Sequence, residues 1–210
     1  MFGFFKPKFT EIGALKYQML AVSVTGTALG VTMNVLPQSS RREGPVVVLL
    51  YNEVLAFAVC LAQMRIQKKY KVNDGHEGLT IINTLLSQIR DLPVPDGDFL
   101  GLDGARIRAM LDETTSDAFF EVLSCYVARD YKALGINDNS IAAFCGITRQ
   151  MPSVIKGAGW TMALLMFQIR TAGLLFEDES EISQGLLPML NAAREGCQVM
   201  MDQFDHVLDQ

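Results

Sequence analysis

Large residues recur near the start of the chain at alternating spacings of three and four positions. The series consists of Ile12, Leu15, Met19, Val22, Gly26, Leu29, Met33 and Leu36, and all but the glycine are apolar. This spacing places its members on one face of an α-helix. A competing pattern exists, because AVSVT and VTMNV alternate apolar with polar residues around GTALG, as the strands of a short β-hairpin near residues 20–36 would. The sustained stripe favours the helix, with the β-hairpin as the alternative.

A second long apolar segment follows the connection LPQSSRREGP. It reads VVVLLYNEVLAFAVCLAQMRIQKKYK, and its own stripe consists of Val47, Leu50, Val54, Phe57, Leu61 and Met64. Pro45 suits the first turn of such a helix, because the amide hydrogen that it lacks would have no partner there. Two helices of similar length joined by a short connection are expected to pack as an antiparallel hairpin.

The remainder of the chain is a series of shorter helical segments. They are LTIINTLLSQIRDL, ARIRAMLDE, TTSDAFFEVLSCYVARDYKAL, TMALLMFQIRTAGLLF and LLPMLNAAREGCQVMMDQFDHVL, with PVPDGDFLGLDG and EDESEISQG as loops. The sequence therefore predicts a mostly all-α protein in which a long N-terminal antiparallel helix hairpin packs on a bundle of shorter helices. We expect one helical domain over residues 1–210, with a sub-boundary at 92–104 between a basic hairpin region (1–91) and an acidic bundle (105–210).

Charge is divided unevenly along the chain, although the net charge is only −5. Residues 1–71 carry nine Lys or Arg against three acids, whereas residues 72–210 carry nine against twenty. Such a division either holds two parts of one fold together or marks the basic part as a surface for phosphates or anionic lipid.

The first hairpin also raises the alternative of a membrane-associated helical protein, acting through residues 17–64. Residues 17–40 contain no charged side chain, and Gly26 and Gly30 form a G-x-x-x-G pair. Against this, several polar residues dilute the run, and Glu53 lies near the middle of the partner helix, where an acid costs about 2.5 to 3.5 kcal/mol in a bilayer. A buried hairpin in a water-soluble protein explains the same residues.

Recognisable catalytic and cofactor motifs are missing from the sequence, so no catalytic, cofactor-binding or metal-binding residue is predicted. The two histidines belong to no metal or catalytic pattern, and Asp202 with His206, four positions apart, would supply only two metal ligands. The four cysteines lie far apart in apolar runs without a C-x-x-C pair, which indicates buried thiols in a reducing, cytoplasmic compartment.

One segment has the form of a helix-turn-helix, NSIAAFCGITRQMPSVIKGAGW. Over residues 139–156 it resembles the helix-turn-helix of lac-repressor-like regulators, with Gly146 at the turn. The resemblance implies DNA binding through Thr148, Arg149, Gln150, Ser153 and Lys156.

Pro152 departs from that pattern, because its missing amide removes the first backbone hydrogen bond of the second helix. The acidic surroundings also oppose binding to phosphates. The same residues fit a helix that ends at Gly146 and a new one that starts at Pro152.

The sequence thus favours a non-enzymatic protein that acts through protein–protein interaction, as a homo-oligomer or with another protein partner. The predicted helices carry more apolar surface than one hairpin can bury, and eleven methionines suit adaptable packing. A DNA-binding regulator and a membrane-associated protein are the alternatives. An enzyme with a pocket between helices also stays open, since such pockets need not leave a linear motif.

Overall fold

The structure, a computed structural model, describes residues 12–38, 44–72, 75–92, 104–112, 117–148, 159–177 and 179–210. These residues are mostly helical, and no strand occurs among them, so the all-α prediction is confirmed. The helices are α1 (Ala14–Val35), α2 (Gly44–Tyr70), α3 (His76–Arg90), α4 (Gly104–Asp112), α5 (Asp117–Ala128), α6 (Asp138–Thr148), α7 (Gly159–Leu175) and α8 (Glu179–Asp209).

Helix α2 lies at the centre of the packing. It contacts α1, α3, α5, α7 and α8, while α1 packs most extensively on α8. From Tyr51 to Gln63 every side chain of α2 is buried except the half-buried Asn52. A helix that is apolar around its whole circumference must be covered on all sides, which explains why α2 is the core helix.

The first helix is confirmed as a helix, and the alternative of a β-hairpin near residues 20–36 is wrong. The buried face of α1, however, differs from the stripe that the spacing indicated. Leu15 and Val22 are 68% and 58% exposed, whereas Val24, Ala28 and Val31 are buried. The core side of α1 combines small and β-branched residues with larger ones such as Leu20, and it contacts α2, α3 and α8. Leu15 and Val22 are left facing outward.

Two helix boundaries differ from the sequence-based expectation. Helix α5 ends at Ala128, so Tyr131 and Leu134 follow it in a turn region instead of continuing its apolar face. The segment EDESEISQG was expected to be a loop, but α8 already begins at Glu179. Glutamates are favourable at the positive end of a helix dipole, which reconciles the acidic composition with helix.

One buried apolar cluster draws residues from both sides of the sub-boundary predicted at 92–104. Leu20 and Phe57 belong to it, as do Leu123, Phe167 and Phe204. Residues 93–103 lie outside the described residues, so the domain division stays a prediction.

Ion pairs link the basic first third of the chain to the acidic remainder. Arg65 Nη2 lies 2.8 Å from Asp205 Oδ2, and Lys69 Nζ lies 2.6 Å from Asp209 Oδ1. Lys16 and Lys69 also donate to the carbonyl oxygen of Leu208, where cations complement the negative end of the α8 dipole. The division of charge therefore helps to join the N-terminal helices to α8.

Within the described part of the chain, one helical stretch, Pro45–Tyr70, is long and apolar enough to cross a membrane. Of its most apolar window, 72% is buried inside the protein. A core helix has the same properties, so this finding is weak support for a membrane span.

Helices α1 and α8 approach each other closely where Gly196 faces Val31. A Cβ atom added at Gly196 would overlap Val31 Cγ2 and lie 3.3 Å from Val31 Cβ. Neither atom is the end of a flexible side chain, so the two helices would have to separate. Gly196 is therefore required by packing.

We expect Gly196→Ala to destabilise the protein by about 1 to 3 kcal/mol, because overpacking outweighs the gain in helix propensity. Gly173→Ala is the matched control: a Cβ there meets nothing within 4 Å, so it should stabilise by about 0.5 to 1 kcal/mol. Urea unfolding measures both. Equal effects of the two variants would contradict the close approach of α1 and α8.

Candidate functional site

The segment that resembles a helix-turn-helix is only partly described. Helix α6 continues through Gly146 to Thr148, so neither the turn nor the helix stop expected at Gly146 is observed. A glycine within a helix costs only about 1 kcal/mol and does not end it by itself. Thr148 is the last described residue of α6. Arg149, Gln150, Ser153 and Lys156 lie outside the described residues, so their role in DNA binding stays untested.

Metal-ligating side chains do not cluster in the described ranges: no group of three or more His, Cys, Asp or Glu could hold an ion. Asp202 accepts a hydrogen bond from Gln198 Nε2 at 2.8 Å, and His206 Nε2 lies 2.8 Å from Gln210 Nε2. Asp202 and His206 therefore each have another hydrogen-bond partner on the exposed side of α8.

The most polar buried site lies between α2, α5 and α7. Glu53 of α2 is 3% exposed, and its Oε2 lies 3.1 Å from Arg170 Nη2. Arg170 Nε donates to Glu53 Oε1 at 3.4 Å, and the Tyr126 hydroxyl donates to the same oxygen at 2.5 Å. One carboxylate thereby fixes one residue from each of the other two helices. We call Glu53, Tyr126 and Arg170 the polar triad; Glu53 and Tyr126 are buried, and the Arg170 side chain is 32% exposed.

Aromatic rings shield the triad on one side. Phe57, one turn along α2 from Glu53, stacks on Phe167 with ring centroids 4.6 Å apart and an interplanar angle of 4°. The Phe57 and Tyr126 rings are tilted at 58°, with centroids 5.9 Å apart. The apolar rings exclude water and so strengthen the electrostatic interactions beside them.

Burial holds the ionisable groups around the triad in their neutral forms. Burial, followed by the charge and the hydrogen bond of Glu53, raises the pKa of Tyr126 well above its ordinary value. Burial also raises the pKa of the Cys60 thiol to about 12, although the positive charge of Arg129 partly opposes this. For Cys125, burial and then the charge of Asp130 raise the pKa. These two thiols and the phenol are therefore protonated at neutral pH.

Sequence reasoning noted Glu53 only as an obstacle to membrane insertion and missed Tyr126 and Arg170. A lone acid within an apolar helix does signal that a buried cation must neutralise it. The spacing could not indicate which cation, because Arg170 lies 117 positions away.

A groove runs along the contact between α1 and α8. It has a volume of about 530 Å³, and its walls include Val22, Gly26, Gly30, Glu195 and Val199. A Cβ added at Gly26 or Gly30 would meet nothing within 4 Å, so the groove is open at both glycines. We call it the α1/α8 groove.

A second concave site, of about 500 Å³, lies between α3 and α5. Its apolar lining consists of Leu79, Ile82, Phe120, Leu123, Val127 and Ala128. Gln63, Asn83 and Ser124 add polar groups, and Arg129 adds one positive charge. We call it the α3/α5 cavity.

Comparison with known proteins identifies no relative. No protein-family model, curated protein or solved structure matches the chain.

We expect Arg170→Met to cost about 3 to 5 kcal/mol of stability, because it leaves the Glu53 carboxylate buried without a counter-charge. Glu53→Leu with Arg170→Met should recover most of that loss, since no buried charge remains. The control is Arg65→Met, which breaks the more exposed pair with Asp205 and should cost at most about 1 kcal/mol. Urea unfolding compares the three. Equal costs for Arg170→Met and Arg65→Met would show that the triad is not a buried ion pair.

Stability should fall as the pH rises above the ordinary thiol pKa of 9.0, because burial raises the pKa of Cys60 to about 12 in the folded protein. The unfolded chain loses this proton first, so the Cys60 contribution is complete below pH 9.0 and declines up to the folded value. The loss should be about 1.4 kcal/mol per pH unit for this group. Between pH 9.0 and the folded pKa, the urea unfolding midpoint should decline less steeply for Cys60→Ala than for the unmodified protein. Parallel declines of the two proteins would show that Cys60 does not contribute to this loss of stability.

Proposed function

We propose that this protein is a non-catalytic helical scaffold that self-associates through the α1/α8 groove. The observation that carries the proposal is a set of exposed apolar side chains on α1 and α8. Leu15 and Val22 of α1 are 68% and 58% exposed, and Val199 of α8, which lines the groove together with Val22, is 50% exposed. Isolated apolar residues are normal on a protein surface, but exposed apolar residues on both walls of an open groove are typical of an interaction site.

A second copy of the chain is the occupant that fits this surface best. Leu15, Val22, Gly26 and Gly30 follow one another at spacings of seven and four, which places them on one face of α1. The first two residues form a ridge, and the two glycines form a depression further along the same helix. In an antiparallel pair related by a two-fold axis, each ridge enters the depression of the other copy. The surface is therefore complementary to itself.

The proposal includes an antiparallel hairpin formed by α1 and α2. The two helices contact each other, and residues 36–43 join them. Packed this way, α2 supplies the buried core and α1 presents the ridge.

A reducing, cytoplasmic location is also part of the proposal. Cys60, Cys125 and Cys197 are free thiols, and Cys60 and Cys197 are buried. Thiols of this kind persist where disulfides do not form. The two alternatives from the sequence, a DNA-binding regulator and a membrane-associated protein, have distinct signatures. The first would bind duplex DNA in a salt-dependent way, and the second would sediment with anionic vesicles.

We expect Gly26→Leu to abolish self-association while the fold is retained. The new side chain fills the depression that receives the ridge, yet nothing lies within 4 Å of its Cβ. Sedimentation velocity measures the association, and circular dichroism should show unchanged helix content, because leucine has the higher helix propensity.

The matched control is Gly173→Leu. Gly173 is also an exposed helical glycine with open space in front of it, but it lies on α7, away from the groove. This variant should self-associate like the unmodified protein. Loss of association in both variants, or in neither, would contradict the assignment of the interface to the α1/α8 groove.

A further inference from the structure

We propose that the α3/α5 cavity binds a small amphipathic carboxylate, with its apolar chain between α3 and α5 and its carboxylate on Arg129. This site lies on helices that take no part in the α1/α8 groove. The inference is therefore independent of self-association.

The size and lining of the cavity suit an apolar ligand of low molecular mass. Its volume of about 500 Å³ falls within the range of small-molecule sites, which are mostly apolar with a few polar groups. Leu79 and Phe120, which line it, are 58% and 37% exposed. An apolar ligand chain would cover both of these side chains.

The positive charge of the cavity lining indicates that the ligand carries an anionic head group. Among the described residues that line it, Arg129 is the one with a charged side chain, and no acid accompanies it. The described part of the chain provides no ion-pair partner for Arg129. The neighbouring carboxylate, Asp130, accepts a hydrogen bond from the amide of Ala133 at 3.1 Å. A guanidinium in this position favours an anion, and its planar fork of donors matches a carboxylate.

The backbone of Arg129 supplies a second, independent observation. Its φ of 59° is left-handed, a region that glycine adopts freely and other residues adopt at a cost. The amide of Arg129 donates to the Tyr126 carbonyl at 3.2 Å, and the amide of Asp130 donates to the Cys125 carbonyl at 2.9 Å. This is a Schellman motif, in which the left-handed residue is usually glycine.

The chain uses glycine for the same purpose six residues later. Gly135 has a φ of 76°, and its amide and that of Ile136 donate to the carbonyls of Lys132 and Tyr131, both at 3.0 Å. An arginine in the equivalent position of α5 is therefore unfavourable for the turn itself. The residue in this unfavourable conformation is also the one charged group of the cavity lining that the structure describes.

Decanoate and decanol, titrated into the full-length protein by calorimetry below their aggregation limits, test the proposal. The two probes share an apolar chain and differ in the carboxylate. We expect saturable binding of both, with decanoate roughly tenfold to hundredfold tighter, as a hydrogen-bonded charge pair would give. Arg129→Gly should remove that preference and leave decanol binding unchanged.

Arg129→Gly should not lower the thermal midpoint, because glycine suits the left-handed position. Arg129→Asn, which also tolerates this conformation, repeats the test if the glycine variant does not fold. The matched control is Lys71→Gly, since Lys71 is also a basic residue with a left-handed φ, of 53°, after a helix end, but does not line the cavity. It should keep the full preference for decanoate. Equal affinity for both probes, or a preference that survives the loss of Arg129, would overturn the proposal, as would the absence of saturable binding.

Discussion

The packing of this protein depends on one buried carboxylate. Glu53 lies in the middle of α2, the helix that most others contact, where an unpaired charge would be prohibitively unfavourable. Arg170 and Tyr126 bring two further helices to that carboxylate, so α5 and α7 can pack on α2 only in registers that satisfy it. Apolar packing tolerates many similar arrangements, whereas a buried ion pair with defined hydrogen bonds favours one. We infer that the triad selects the arrangement more than it adds to stability.

The same arrangement explains the locations of the two candidate surfaces. Since α5 is held against α2 by Tyr126 and ends immediately afterwards in the left-handed Arg129, its last turn forms one wall of the α3/α5 cavity. At the other candidate surface, the α1/α8 groove, α1 approaches α8 so closely that a glycine is required at position 196, opposite Val31. This contact uses the side of α1 that carries Val31, whereas Leu15 and Val22 face outward.

Much of the helical framework could be predicted from periodicity. The stripe of α2 that carries Val54, Phe57 and Leu61 is buried, but so are the other faces of that helix. The buried face of α1 was predicted incorrectly, because both sides of this helix are apolar and only the close approach to α8 decides between them. The end of α5 was missed because Arg129 occupies a position where glycine would have marked the helix stop. The triad could not be assembled from sequence, since its members come from three helices and pairing depends on tertiary packing. Of the three members, only Glu53 could be noticed in the sequence, as a single acid within an apolar helix.

The proposed self-association rests on the exposed apolar side chains of α1 and α8 beside the α1/α8 groove. Sedimentation equilibrium of the unmodified protein, from low micromolar to submillimolar concentration, tests it most directly. We expect a reversible, concentration-dependent dimer. A single monomeric species across the whole range would contradict it.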